Sequence, residues 1–190
     1  MNQRVLQTRT NALVAEYIYT KKLKRIGNLS ITITSLTIIV PVLFTSATLV
    51  AKGTPIESYM NIASVILSAI LVSLSIFSLI FRVDQKREDY LISRRLNIDV
   101  SSDALECLEK NDSELEWFYK YTAKMDSRDL ENIGDMSCKE KQNAYRYSLK
   151  KLFPGRANTV CACCEASPFS FKKGSCQVCG NTPKGEVKCQ

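Results

Sequence analysis

The residue types with the clearest chemistry are cysteines near the C-terminus. Cys161 and Cys164 form one CxxC pair, Cys176 and Cys179 form a second, and eleven residues lie between the pairs. A CxxC turn presents two thiolates from one loop, and two such turns can close four sulfurs tetrahedrally around one metal ion. Six of the eight cysteines fall in the last thirty residues, and the chain has no histidine, so the ligand set must be all cysteine. The expectation is a structural zinc ion, with iron in a rubredoxin-like site as the chemical competitor. Gly180 follows Cys179 and suits the tight turn that aims backbone N–H groups at sulfur. Removing one ligand is expected to unfold this tail but leave the hairpin. Cys163 and Cys189 are left over, and Cys163 could compete with Cys164 as a ligand. Cys107 and Cys138 lie on predicted helices, where small packing residues are expected. A thioredoxin-like redox role would need a βαβ pattern nearby, and none is visible.

The missing histidine also narrows the catalytic options. It removes the commonest general base and the Ser-His and Cys-His nucleophile arrangements. No P-loop, GxGxxG or HExxH pattern occurs. The chain is therefore not expected to be an enzyme.

The elements that carry the cysteines are helical, and two are expected in a membrane. The mean hydropathy is that of a soluble protein, but the apolar residues are concentrated between Ile31 and Phe81. Ile31–Ala51 is an uncharged run of 21 residues. At about 1.5 Å per residue it reaches roughly 30 Å, the thickness of a bilayer core. Ser58–Phe81 is a second uncharged run, joined to the first by a short turn holding Gly53 and Pro55. The first run is too long for a signal-peptide core, so cleavage is not expected. A buried hairpin in a globular core is the other reading, though core helices rarely run so far without a charge. Lys21, Lys22, Lys24 and Arg25 precede the first span, Arg82, Lys86, Arg87, Arg94 and Arg95 follow the second, and the turn has only Lys52. The positive-inside rule puts both termini in the cytoplasm.

Within the spans, Asn61, Ser64, Ser68, Ser75 and Ser78 read as one polar face, with Thr34, Thr37, Pro41 and Thr48 on the other helix. Close helix packing explains such hydroxyl-rich faces most simply. The sharper reading is a water-filled path, which two helices cannot enclose without forming an oligomer. Pro41 is expected to kink its helix. No ionisable residue lies inside either span, which argues against a proton relay or coupled transporter.

The fold class expected is a mainly α membrane protein: a two-helix transmembrane hairpin with cytoplasmic helices and a small zinc-ribbon-like module. Residues 1–27 read as an amphipathic helix with Leu6, Leu13 and Tyr17 on one face and Val14 and Ile18 beside it. It either packs on other helices or lies on the membrane, and Gly27-Asn28 is expected to break it. Ser30 is expected to cap the first span. Residues 28–100 hold the hairpin, with spans 31–51 and 58–81, and a juxtamembrane helix. Residues 101–155 form further helices, with capping boxes at Ser113-x-x-Glu116 and Ser137-x-x-Glu140. Leu115, Phe118, Thr122 and Met125 share one helix face, while Ala144, Tyr147 and Leu152 share another. Trp117, Tyr119 and Tyr121 are read as core or subunit contacts rather than a base-stacking platform. Phe153-Pro154-Gly155 is expected to stop the last helix. Residues 156–190 are the cysteine tail, where Lys172, Lys173, Lys184 and Lys188 form a basic edge. Solubilising charge explains that edge more readily than nucleic acid does.

The spacing through Cys161, Cys164, Cys176 and Cys179 matches the pattern that names the mobilome CxxCx(11)CxxC proteins of bacterial mobile elements, and the chain resembles them. Residues 1–150 resemble, by architecture and hydropathy, the SLATT family of SMODS- and SLOG-associating two-transmembrane effectors. That resemblance implies an inner-membrane effector of an anti-phage or mobile-element conflict system, which oligomerises and permeabilises the membrane when a sensor is triggered. The implied partners are membrane lipid, further copies of the chain, and a sensor or regulatory protein docked on the zinc tail. The competing reading is a membrane-tethered zinc-knuckle adaptor for protein or nucleic acid.

Overall fold

Helix dominates because two long apolar stretches and several amphipathic ones follow one another with only short turns between. The computed structural model describes residues 2–153 and 159–183. Its helices are α1 (Gln3–Ala51), α2 (Glu57–Ile80), α3 (Val83–Cys107), α4 (Glu116–Ile133) and α5 (Cys138–Leu152), with a 3-10 turn at Asp112–Glu114. Among the described residues no strand forms, and the one extended pairing is an isolated bridge between Lys173 and Asn181. Pro154, Gly155, Lys184, Lys188 and Cys189, which carry expectations above, lie outside the described residues.

The chain divides into two compact units: Met1–Lys22 with Tyr90–Gln190, and Leu23–Asp89. The N-terminal segment and the cysteine tail fall in the same one of these units. The break expected at Gly27-Asn28 does not form, since α1 continues through it. One glycine inside a helix costs only about 1 kcal/mol relative to alanine, too little to end it. Ser30 caps nothing; it sits mid-helix and its hydroxyl donates to Asp84 Oδ1 at 2.8 Å. Pro41 lies within α1 without ending it.

In the larger unit, the first turns of α1 are buried on two sides. Val5 and Ala12 join Val100, Ala104, Cys107, Leu115, Phe118 and Met125 in one apolar cluster. Leu13 joins Leu149, Leu152 and the four paired cysteines in another. Packing on helices, not on a membrane surface, thus accounts for this face. The predicted stripe Leu115, Phe118, Thr122 and Met125 is buried and continues to Asp129. Ala144 and Leu152 are buried and Tyr147 is half-buried. Trp117 faces outward, while Tyr119 and Tyr121 pack against the core. Cys107 packs as expected, but Cys138 is exposed on the first turn of α5.

Two polar links cross this core. Tyr19 donates its hydroxyl to Asp129 Oδ1 at 2.7 Å, and Asn97 Nδ2 donates to Asp129 Oδ2 at 2.8 Å. Glu16, itself buried, takes Lys151 at 2.9 Å and the Tyr147 hydroxyl at 3.1 Å. Ser137 caps α5 as the sequence suggested, its Oγ accepting the Glu140 N–H. The other capping box sits two residues earlier than expected, at Asn111 and Glu114. Its 3-10 turn uses up the residues read as the helix start, so α4 begins at Glu116 with no side-chain cap.

The second unit is the hairpin. Two helical stretches, in α1 and from α2 onward, are long and apolar enough to cross a membrane, and their most apolar windows are 6% and 0% buried. This chain itself therefore leaves both stretches uncovered. The half-buried positions of α2 are Glu57, Met60, Ser64, Leu67, Leu71, Leu74 and Ser78. Alternating steps of three and four are the repeat of a helix seam. On α1, Ile33 is buried and Thr37, Val40, Phe44, Thr48 and Ala51 are half-buried.

Candidate metal centre

The cysteine knuckles are built from two equivalent turns. In the first, the Glu165 N–H returns to Cys161 O at 2.9 Å, and the Cys161 N–H meets Ala166 O at 3.0 Å. In the second, the Gly180 N–H returns to Cys176 O at 2.8 Å, and the Cys176 N–H meets Asn181 O at 3.2 Å. The residue after the second cysteine is left-handed in both, with φ 54° at Glu165 and 70° at Gly180. The Cys179 N–H points at Cys176 Sγ at 3.5 Å, so the turn does aim an amide at sulfur. Buried Asn181 ties the loops together. It donates to Ser167 O and Ser170 O, both at 3.2 Å, and accepts the Lys172 N–H at 2.8 Å. A side chain at Gly174 would meet Thr182 Cα at 2.3 Å, so that crossing tolerates only glycine.

These turns bring Cys161, Cys164, Cys176 and Cys179 together, buried, with all four sulfurs within 4.8 Å of one another. Thiolates bound at about 2.3 Å to a tetrahedral ion sit about 3.8 Å apart, so the set fits a four-thiolate metal site. Cys164 and Cys179 are closest, at 3.3 Å between sulfurs. Burial pushes Cys164 and Cys179 up. Burial also raises Cys176, but the Cys179 N–H and hydrogen bonds from Cys179 and Cys164 outweigh it and bring that thiol to about 7. A bound cation would be the compensating charge. Half-buried Cys163 is not part of the group.

Helix α5 carries the knuckles. Gln142 Nε2 donates to Cys176 O at 3.2 Å and Gln177 O at 3.3 Å, and Arg146, one turn on, donates to Cys179 O. Sequence reasoning missed Gln142, Arg146 and Asn181. A polar pair on a helix looks like surface, and an asparagine after CxxCG looks like any turn residue.

A family model described as mobilome CxxCx(11)CxxC protein matches residues 2–182. The chain belongs to that family. No curated protein and no solved structure matches it. The match takes in the hairpin and helices α1 to α5 as well as the cysteines, so the mobilome family is defined by more than its knuckles.

The span residues expected to share one face divide in two. Ser64 and Ser78 of α2, with Thr37 and Thr48 of α1, fall on the seam, whereas Asn61, Ser68, Ser75, Thr34 and Pro41 are exposed. A residue one step from a seam position is turned by about 100°, which a face drawn at mixed spacings does not register. Thr34, Thr37, Ser75 and Ser78 meet again around a groove of about 680 Å³ that also holds Arg82 and Gln85. Several hydroxyls are satisfied within their own helix: Thr37 donates to Ile33 O and Ser75 to Leu71 O.

Proposed function

We propose that this mobilome-family protein is a bacterial inner-membrane effector that oligomerises through its hairpin and permeabilises the membrane in an anti-phage or mobile-element conflict system. Both termini are cytoplasmic in this reading, and the four-cysteine site holds a structural zinc ion. The observation that carries it is the line Asn61, Ser68 and Ser75, one heptad apart, exposed beside the hairpin seam. Lipid is a poor neighbour for a carboxamide, and interhelical contact with another copy is the usual remedy. Several hairpins side by side would turn these lines and the hydroxyl-lined groove toward a shared axis. The likeness to SLATT effectors supports the same reading, as does the basic flank at each cytoplasmic end.

Reconstitution tests it. Liposomes carrying the wild type should release trapped potassium, and Asn61→Leu/Ser68→Leu/Ser75→Leu should abolish release while leaving insertion unchanged. Equal release from both proteins would show that the exposed line plays no part in permeation.

A further inference from the structure

The knuckle loop carries a feature that neither the metal nor the hairpin explains. Phe169 and Phe171, two residues apart on this loop, are 48% and 47% exposed. Each ring has a cation over one face: the Arg146 guanidinium lies 3.8 Å from the Phe171 centroid, and the Lys150 ammonium 5.8 Å from that of Phe169. Arg146 and Lys150 are four residues apart on α5, so they share one helix face. Lys172 and Lys173 follow the rings directly and are exposed. Across residues 159–183 the only acid is Glu165.

We infer that this patch, Arg146, Lys150, Phe169, Phe171, Lys172 and Lys173, binds single-stranded nucleic acid. Open aromatic faces stack on bases of any sequence, and flanking cations take the phosphates. Both rings have cations beside them, so base stacking and phosphate contact can be made together. A membrane surface would draw on the same charge, but a ring bound for acyl chains is poorly served by a guanidinium held on its face. The inference does not depend on pore formation, because it concerns the metal-bearing unit alone.

The test uses the full chain in nanodiscs of neutral lipid, with fluorescein-labelled oligo(dT) and oligo(U) of about 12 nucleotides, read by anisotropy. Binding at about 50 mM salt should weaken as salt rises. Phe169→Ala/Phe171→Ala should weaken it at least about tenfold. Lys172→Glu/Lys173→Glu should weaken it and lower the salt slope by about 1.4, the share of two phosphate contacts on a single strand. Metal content is measured in both variants, and if the phenylalanine variant loses its ion the exposed lysine pair decides. No binding at low salt, or wild-type binding by the lysine variant, would overturn the inference. Binding to anionic vesicles with none to either oligonucleotide would also overturn it, and would assign the patch to a membrane surface.

Discussion

Glu165 and Gly180 occupy the same position in the two cysteine knuckles, each in left-handed backbone directly after the second cysteine of its pair. The two turns are therefore copies in geometry but not in sequence. A non-glycine residue in that region costs about 1 kcal/mol or more. Glu165→Gly should raise stability by about 0.5–1 kcal/mol. Gly180→Ala should lower it by more, because it adds the strain and sets a Cβ 2.6 Å from Gln142 Oε1. Denaturant melts of the detergent-solubilised, metal-loaded protein will read both, and a stabilising Gly180→Ala would contradict the equivalence.

Metal removal should reach beyond the tail. The cysteines share a buried cluster with Leu13 of α1 and with Leu149 and Leu152 of α5. Chelation, or Cys176→Ser, is expected to speed amide exchange in α5 and in the first turns of α1 as well as in the knuckles. Exchange that rises only within residues 159–183 would restore the expectation of an independent module.

The pairing of Glu16 with Lys151 makes a charge-specific prediction. Glu16 is 3% exposed, whereas the Lys151 side chain is about half exposed. Lys151→Met leaves a buried carboxylate with only the Tyr147 hydroxyl and should cost about 1–3 kcal/mol. Adding Glu16→Met should recover most of that loss. A double variant as unstable as the single one would show that Lys151 acts through packing.

Asp129 supplies a pH signature. Burial raises its pKa despite the hydrogen bonds from Tyr19 and Asn97. Burial and then the Asp129 charge raise that of Asp126 too. A carboxyl whose folded pKa lies above its unfolded value adds stability at low pH and loses it as pH rises through the folded value. The wild type should therefore gain stability relative to Asp129→Asn as pH falls toward the ordinary aspartate value of 3.8, then hold level. Melts of both proteins between about pH 7 and 4 will show the slope. A flat difference would mean that Asp129 is not desolvated.

Much of this was legible from residue spacing. Four cysteines in two CxxC pairs give the centre, because a short turn leaves little freedom in where its thiols point. Ile31–Ala51 and Ser58–Phe81 give the hairpin, because length without charge has few other uses. What was not legible depends on contacts distant in sequence. Gln142 and Arg146 look solvent-facing until the knuckles arrive to use them. Glu16 looks like a surface acid until Lys151 is placed beside it. Gly27 looks like a breaker only when it is taken without the long helix around it. The polar span residues look like one face because the seam, which separates Ser64 from Ser68, is set by the partner helix.

That separation lets the two polar sets be tested apart in cells. Membrane potential should be followed with a depolarisation-sensitive dye in bacteria expressing the chain under tight induction. The comparison is wild type, the exposed-line variant Asn61→Leu/Ser68→Leu/Ser75→Leu, and the seam variant Ser64→Leu/Ser78→Leu, at matched membrane levels. Rapid depolarisation is expected from the wild type and none from the exposed-line variant, with the seam variant reporting what hairpin packing alone contributes. Depolarisation by the exposed-line variant equal to the wild type's, or none by a wild type that is present in the membrane as an oligomer, would contradict the proposed permeation.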